Sequence, residues 1–338
     1  MRPDTLVIGG GGLIGRWLLP ELTRRGRTVA ALVRDASTRG GELRSWVAAH
    51  GGDPAHLVVT EGDLTAPGLG LANAAGLDGV RDVYNLGARF AFGLTAAQAR
   101  RTNVDGALEA VRWAARLPAP RRFVHISGYR VGSNHTEAPD YRRGAYEASK
   151  VEAHRAVLAL TAELGLPVAV VNPSTVIGDS VTGETTQYIG LASLVRDLSR
   201  GKLPAVPGGR DTWVPVVTAD HLARFLAAVP HHAPDRAELW VLDEDTPKLP
   251  ELIGHLARRL GVPAPRLRVP AAVLRLLPRA LTGADPETLT FLSADGYPTA
   301  SARALARAAG LQPPPLPAAL DAWTDHLVAT NFGEPVRS

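Results

Sequence analysis

The sequence predicts an α/β protein built on a doubly wound parallel sheet, with a smaller, mostly helical C-terminal part. Three observations predict it. Short apolar runs alternate with helical stretches through residue 172, the pattern of a sheet whose strands are joined by crossover helices. The first apolar run meets four glycines in a row, Gly9 to Gly12. Beyond residue 178 the regular alternation gives way to Gly, Thr and Pro punctuation. The expected division is therefore 1–178 and 179–338, with a segment near 213–242 returning to pack on the first part.

Composition narrows the field. Of 338 residues, 45% are apolar and 21% charged, as in an ordinary globular protein. There is no cysteine, which excludes disulfides and thiolate metal sites. No apolar run approaches the ~20 residues of a bilayer span. The chain enters Thr5-Leu6-Val7-Ile8 at once, leaving no room for a signal peptide, so a cytoplasmic location and no membrane partner are expected. The net charge is +4, but the arginines are scattered among acids and lack interleaved aromatics. Nucleic acid is accordingly not an expected partner. No Asp/His cluster has metal-ligand spacing.

Taken in order, Thr5 to Ile8 reads as a buried strand stopped by glycine. Backbone amides of such a loop, backed by the next helix, cradle a pyrophosphate. Two fingerprints fit: Gly10, Gly12 and Gly15, or Gly9, Gly12 and Gly15, with Leu13 and Ile14 between. The following helix contains Pro20, which removes one backbone bond from a helix interior. Thr28 to Val33 is the second strand. A carboxylate at its end would hold the ribose hydroxyl of NAD, and an Arg would accommodate the extra phosphate of NADP. The order Val33-Arg34-Asp35 favours Arg34 and NADP, with Asp35 as the competing, NAD-type reading.

Leu57 to Thr60 is a third strand ending at Glu61-Gly62-Asp63-Leu64, and Val80 to Leu86 a fourth, opening onto Gly87-Ala88. A long helix from about Ala96 to Arg116 carries Asn103. Phe123 to Ser127 is the fifth strand, and Pro167 to Val171 the sixth. Ligands of open α/β sheets lie beyond such carboxyl ends. Between them a helix over 144–164 carries Tyr146 and Lys150, four residues apart and on one face. An ammonium beside a phenol favours the phenolate, so Lys150 is expected to lower the Tyr146 pKa and make it a general acid or base. His125 reads as a core histidine. Trp213 to Val217 reads as a returning strand followed by a helix capped by Thr218, and Glu238 to Leu242 as a further strand.

The ordered set resembles the extended short-chain dehydrogenase/reductases, in the epimerase/dehydratase and dihydroflavonol-reductase-like branch. The matching residues are Val7 to Gly15, Gly62-Asp63-Leu64, Asn85 to Ala88, Asn103, Phe123 to Ser127, Tyr146 to Lys150, and Asn172 to Gly178. The resemblance implies a Rossmann domain and selects the Gly9, Gly12 and Gly15 register for the pyrophosphate. It implies that Asp63 and Leu64 contact the adenine and that Leu86 and Gly87 line the ribose and diphosphate path. Asn103 belongs to the same set. Tyr146 would be the acid/base, with Lys150 on the nicotinamide ribose and the Pro173 to Val176 backbone meeting the nicotinamide. The C-terminal part would form the substrate pocket, with Tyr188, Trp213 and Phe291 as lining candidates.

One departure stands out. The family usually has two adjacent hydroxyl residues after the fifth strand, whereas this chain has Ser127 and then Gly128. In the family the second hydroxyl residue helps hold the substrate carbonyl, so here either Ser127 shifts to serve or another donor takes over, such as Tyr129, Thr175 or the substrate itself. The expectation is an NADP(H)-dependent oxidoreductase passing hydride between nicotinamide and a carbonyl or imine carbon of a small molecule. A homodimer is compatible with it. The alternatives are a redox-neutral epimerase or dehydratase holding NAD(P), and an NADP-binding sensor without catalysis.

Overall fold

The computed structural model describes residues 2–71, 76–91, 93–131, 139–142, 144–270, 273 and 292–335. Its strands are β1 (Thr5–Ile8), β2 (Val29–Val33), β3 (Leu57–Glu61), β4 (Asp82–Asn85), β5 (Arg122–Ile126), β6 (Val168–Pro173), β7 (Thr175–Ile177), β8 (Ala205–Pro207), β9 (Val216–Thr218), β10 (Ala237–Val241) and β11 (Leu267–Val269). Its helices are α1 (Leu13–Arg24), α2 (Ala36–Ala49), α3 (Ala96–Ala99), α4 (Gly106–Ala114), α5 (Ala145–Glu163), α6 (Leu191–Ser199), α7 (Ala219–His232), α8 (Leu249–Leu260), α9 (Ala300–Ala308) and α10 (Leu316–Ala329). They fall into two compact units. The first is Met1–Pro173, Leu222–Val241 and Pro298–Gln312; the second is the remainder. The boundary thus lies at Pro173, five residues before the expected 178, and α9 joins the first unit.

The first unit is a seven-stranded sheet in the order β10-β6-β5-β4-β1-β2-β3, every pair parallel. The strand order reverses at β1, so the crevice for a ligand opens between the carboxyl ends of β1 and β4. Alternation along each strand feeds two cores. On one face Ile8, Phe123 and Val170 pack with Ala107 and Val111 of α4 and Val157 of α5. On the other, the Tyr84 hydroxyl donates to the Leu226 carbonyl of α7 at 3.3 Å. The predicted strands of this sheet are all present, shifted at their ends by a residue or two.

Between α3 and α4 the helix widens into a π-helical stretch over Arg100–Asp105 that contains Asn103. Such a stretch inserts an extra residue into the helix and frequently marks functional sites. Pro20 lies inside α1 as the sequence indicated. Its missing N–H would have bonded the carbonyl of Arg16, and the Trp46 indole N–H of α2 donates there instead, at 2.8 Å. The proline therefore has a structural complement on the neighbouring helix.

The second unit holds two small parallel pairs, β7 with β9 and β8 with β11. Ile177, Val195, Leu252, Leu256, Leu320 and Trp323 form its core. Two expectations need correction. The stretch from Trp213 yields only the short β9, which pairs with β7 and not with the main sheet. Thr218 ends that strand, and its buried hydroxyl makes no cap bond among the described residues. No helix among the described residues is long and apolar enough to cross a membrane, and they contain no His/Asp/Glu cluster able to hold a metal.

Candidate active site

The glycine loop is shaped by close backbone approaches. Gly9 has φ +83°, and a Cβ there would lie 3.0 Å from the Gly87 nitrogen, so the ends of β1 and β4 meet almost backbone to backbone. At Gly15 a Cβ would lie 2.6 Å from the carbonyl oxygens of both Gly9 and Gly10. Gly12 caps α1 without any side-chain cap bond, and its N–H donates to the Gly9 carbonyl at 3.1 Å. Gly10 is tight as well, since a Cβ there would lie 3.1 Å from the Ala31 Cβ, but of Gly9 and Gly10 only Gly9 needs a positive φ. The uncapped N-terminus of α1, reached through Leu13 and Ile14, fits an anionic pyrophosphate, which needs free amides and the positive end of a helix dipole.

At the end of β2, Arg34 is exposed and makes no ion pair or hydrogen bond among the described residues. Asp35 is engaged otherwise. It caps α2, accepting from the Ser37 hydroxyl at 3.1 Å and the Thr38 N–H at 3.4 Å, bonds that hold its carboxyl below the usual range. Sequence reasoning missed Arg39, one turn into α2, whose Nη1 would lie 3.0 Å from a Cβ on Gly11. A second arginine thus stands over the loop. Asp63 forms a tight turn, accepting from the Thr65 N–H at 2.8 Å and its hydroxyl at 2.9 Å. The Leu64 side chain is core, packed where Gly87 and Gly106 leave room for it. Leu86 is half-buried, its N–H bonded to the Ile8 carbonyl at 3.0 Å.

The other end of the site is built from side chains. Asn103, 2% exposed, accepts from the Arg89 N–H at 2.8 Å and donates to the Ser149 hydroxyl at 2.9 Å. Ser149 in turn donates to the Tyr146 carbonyl at 2.7 Å. This chain pins the first turn of α5 to the π-helical stretch. The half-buried Tyr146 ring rests against Phe90, centroids 4.7 Å apart. The buried Lys150 donates from Nζ to the Ile126 carbonyl at 2.8 Å, beside the end of β5 that carries Ser127.

The expected effect of Lys150 on Tyr146 is not found. Burial raises the Tyr146 pKa, with the neighbouring Glu147 carboxylate adding to it. Burial also lowers Lys150 to about 8. The lysine is committed to a backbone carbonyl, and desolvation outweighs any attraction the phenolate would gain. Tyr146 is therefore a protonated phenol at neutral pH.

Ser127 is 5% exposed, and its hydroxyl lies 3.3 Å from His154 Nδ1, a residue the sequence reading did not single out. His125 is a buried core residue, as expected. It meets Asn85 at 3.3 Å, and burial holds its pKa well down. Among the described residues, a Cβ on Gly128 would meet only Val131, at 4.0 Å. Tyr129 is buried, and its carbonyl accepts from the Trp240 indole at 2.8 Å. Pro173 closes β6, whereas Val176 and Thr175 lie on β7 of the second unit. In that unit Tyr188 packs against Gly333, and the Trp213 indole donates to the Asp295 carbonyl at 2.9 Å. Phe291 lies outside the described residues.

Comparison with known proteins gives this geometry its context. A family described as "Male sterility protein", an NAD-binding family, matches residues 7–226. A candidate dihydroflavonol 4-reductase from Synechocystis sp. is 26% identical over 78% of this chain and 74% of its own. A 3-diazoavenalumate denitrifying reductase from Streptomyces sp. is 29% identical over 80% of this chain and 86% of its own. Among solved structures, the terminal R domain from the myxalamid PKS-NRPS biosynthetic pathway superimposes with a TM-score of 0.80 at 19% identity, covering 98% of this chain and 92% of the other. The chain belongs to this NAD-binding family and, with its reductase-like relatives, to the extended short-chain dehydrogenase/reductases.

Proposed function

We propose that this protein is an NADPH-dependent reductase acting on a carbonyl or imine carbon of a small molecule, with Tyr146 as the proton donor. The observation that carries the reading is the four-residue spacing on α5 of the Tyr146 phenol and the buried Lys150, whose amine is bonded at the carboxyl end of β5 next to Ser127. At neutral pH the phenol holds its proton, the state from which a donor to a developing alkoxide or amide nitrogen must start. Two relatives that carry reductase names support the same direction.

The residues that would hold the cofactor follow from the loop. Amides of Leu13 to Gly15 would take the pyrophosphate, with Gly9 and Gly12 shaping the loop, Asp63 and Leu64 would border the adenine, and Leu86 and Gly87 would border the ribose path. Arg34 and Arg39 would take the additional phosphate, since Asp35 is spent on capping α2. Pro173 and Val176 would meet the nicotinamide, and bound NADPH would supply the hydride. Tyr146 gives its proton to the substrate heteroatom, and Lys150 stands next in the relay, its amine held by the Ile126 carbonyl.

The reading is tested by following NADPH absorbance against a panel of aldehydes, ketones, imines and enones. Tyr146→Phe is expected to lower turnover at least ~10²-fold, the usual scale for losing an acid, while NADPH binding stays nearly intact. A Phe variant that turns over like the wild type would sink the mechanism.

A further inference from the structure

α5 carries Tyr146, Lys150 and His154 at steps of four residues, so the three share one stripe of the helix. The first two belong to the proposed proton relay; the third has had no role. His154 is 4% exposed, with Nδ1 3.3 Å from the Ser127 hydroxyl and Nε2 2.9 Å from a carboxylate oxygen of Glu238. Glu238 comes from β10, two strands from β5, and the register brings Glu238 and His125 opposite the same residue of β6, Val170. Three elements distant in the chain thus meet in one line.

The donor and acceptor inventory gives that line a direction. An ionised carboxylate only accepts, so Nε2 must carry the hydrogen in its contact with Glu238. The neutral imidazole then has a bare Nδ1, and the only hydrogen available between Nδ1 and Oγ is the one on Ser127. In this state Ser127 donates to His154 and shows lone pairs to a substrate. A second proton on the imidazole turns Nδ1 into a donor, and the Ser127 hydrogen is released toward a substrate oxygen. The bond from His154 holds the Glu238 pKa below its ordinary value, which keeps the carboxylate end ionised.

We propose that His154 and Glu238 are positioning residues for Ser127, and that together they decide whether its hydroxyl accepts from or donates to the substrate. Among the described residues, the titratable groups facing His154 are Glu238 from β10, His125 from β5 and Lys150 from its own helix, one turn away. β6, between β5 and β10, has no titratable side chain. On α4, Glu109 and Arg112 pair with each other, and Arg100 of the π-helical stretch pairs with Glu152. His125 is kept neutral chiefly by burial, with the nearby Lys150 acting in the same direction. Glu238 is therefore the one anion in the line. With Gly128 supplying no hydroxyl, the direction of the Ser127 hydrogen decides whether Tyr146 acts with a second donor or alone.

The consequence for turnover rests on the reductase reading above; the hydrogen-bond direction does not. Protein with isotope-labelled histidine, read by two-bond proton–nitrogen correlations, reports which nitrogen of neutral His154 holds the hydrogen. The expected answer is Nε2, in the wild type and in Ser127→Ala, with a mixture of tautomers in Glu238→Gln. A wild-type hydrogen on Nδ1, or no change in Glu238→Gln, overturns the proposal.

With a carbonyl from the panel, Ser127→Ala and His154→Leu should each lower turnover ~10-fold, and the double variant no further, because residues acting as a unit are not additive. KM for NADPH should stay unchanged in all three variants. Losses that multiply, or a raised KM for NADPH, overturn it. Glu238→Gln serves both measurements should His154→Leu fail to fold. If no carbonyl is reduced, the reductase reading falls, and the tautomer measurement still decides the line.

Discussion

The two ends of the site are made of different material. At the β1 and β4 end the work is done by backbone: Gly9 against Gly87, Gly15 against two carbonyl oxygens, and an uncapped helix N-terminus. At the β5 and α5 end it is done by side chains: Asn103 to Ser149, Lys150 to Ile126, and Ser127 to His154 to Glu238. A backbone cradle tolerates no added atom but leaves its ligand's chemistry alone. A side-chain network can lose one member and keep its shape, changing the chemistry instead. The difference teaches which substitutions should damage binding and which should alter turnover.

The largest expected effect tests the backbone end. Gly15→Ala places a methyl 2.6 Å from two carbonyl oxygens, and relieving such a clash costs about 1–3 kcal/mol. NADPH affinity should fall ~10- to 100-fold by titration, with catalysis recovered at saturating cofactor. Unchanged affinity would mean that the loop is not the cradle.

The side-chain end is sharpened by addition. Gly128→Ser puts a hydroxyl where, among the described residues, a Cβ would touch only Val131, at 4.0 Å. Its φ is not positive, so the serine carries no backbone penalty. Where a second donor is missing, restoring it should raise turnover on a panel carbonyl about 10-fold, a fraction of what an oxyanion donor contributes where it has evolved. A loss of turnover would indicate that substrate fills that space.

The smallest effect lies where the two materials meet, at Arg34. Arg34→Ala should reduce the preference for NADPH over NADH ~10-fold or less, as a charge-assisted bond is worth about 1.5–3 kcal/mol and Arg39 remains. Dissociation constants for both cofactors read it directly. No movement toward NADH would assign the phosphate to Arg39 alone.

The same contrast explains what the sequence made legible. Strand ends and the glycine loop are local: Thr5 to Ile8 followed by glycines already specifies a buried strand and a turn. Tyr146 and Lys150 were legible because four residues on a helix is a fixed geometry. Their electrostatics were not, because burial and the Ile126 carbonyl come from packing. His154 could have been found by extending the step of four once more. Glu238 could not, since it reaches His154 only through the β5-β6-β10 register. Arg39 and the Trp46 partner of the Pro20 gap likewise depend on how α2 lies against α1.

That last contact has an optical consequence. The Trp46 indole, besides bonding the Arg16 carbonyl, stacks on His50 with centroids 3.9 Å apart and lies under the Arg16 guanidinium at 5.0 Å. Arg16 also donates from Nε to the Gly11 carbonyl of the glycine loop, at 3.3 Å. A fluorophore is thereby wired to the loop through one side chain. Titration with NADPH is therefore expected to change the tryptophan emission if occupancy of the loop moves Arg16, a readout of the cradle that needs no label.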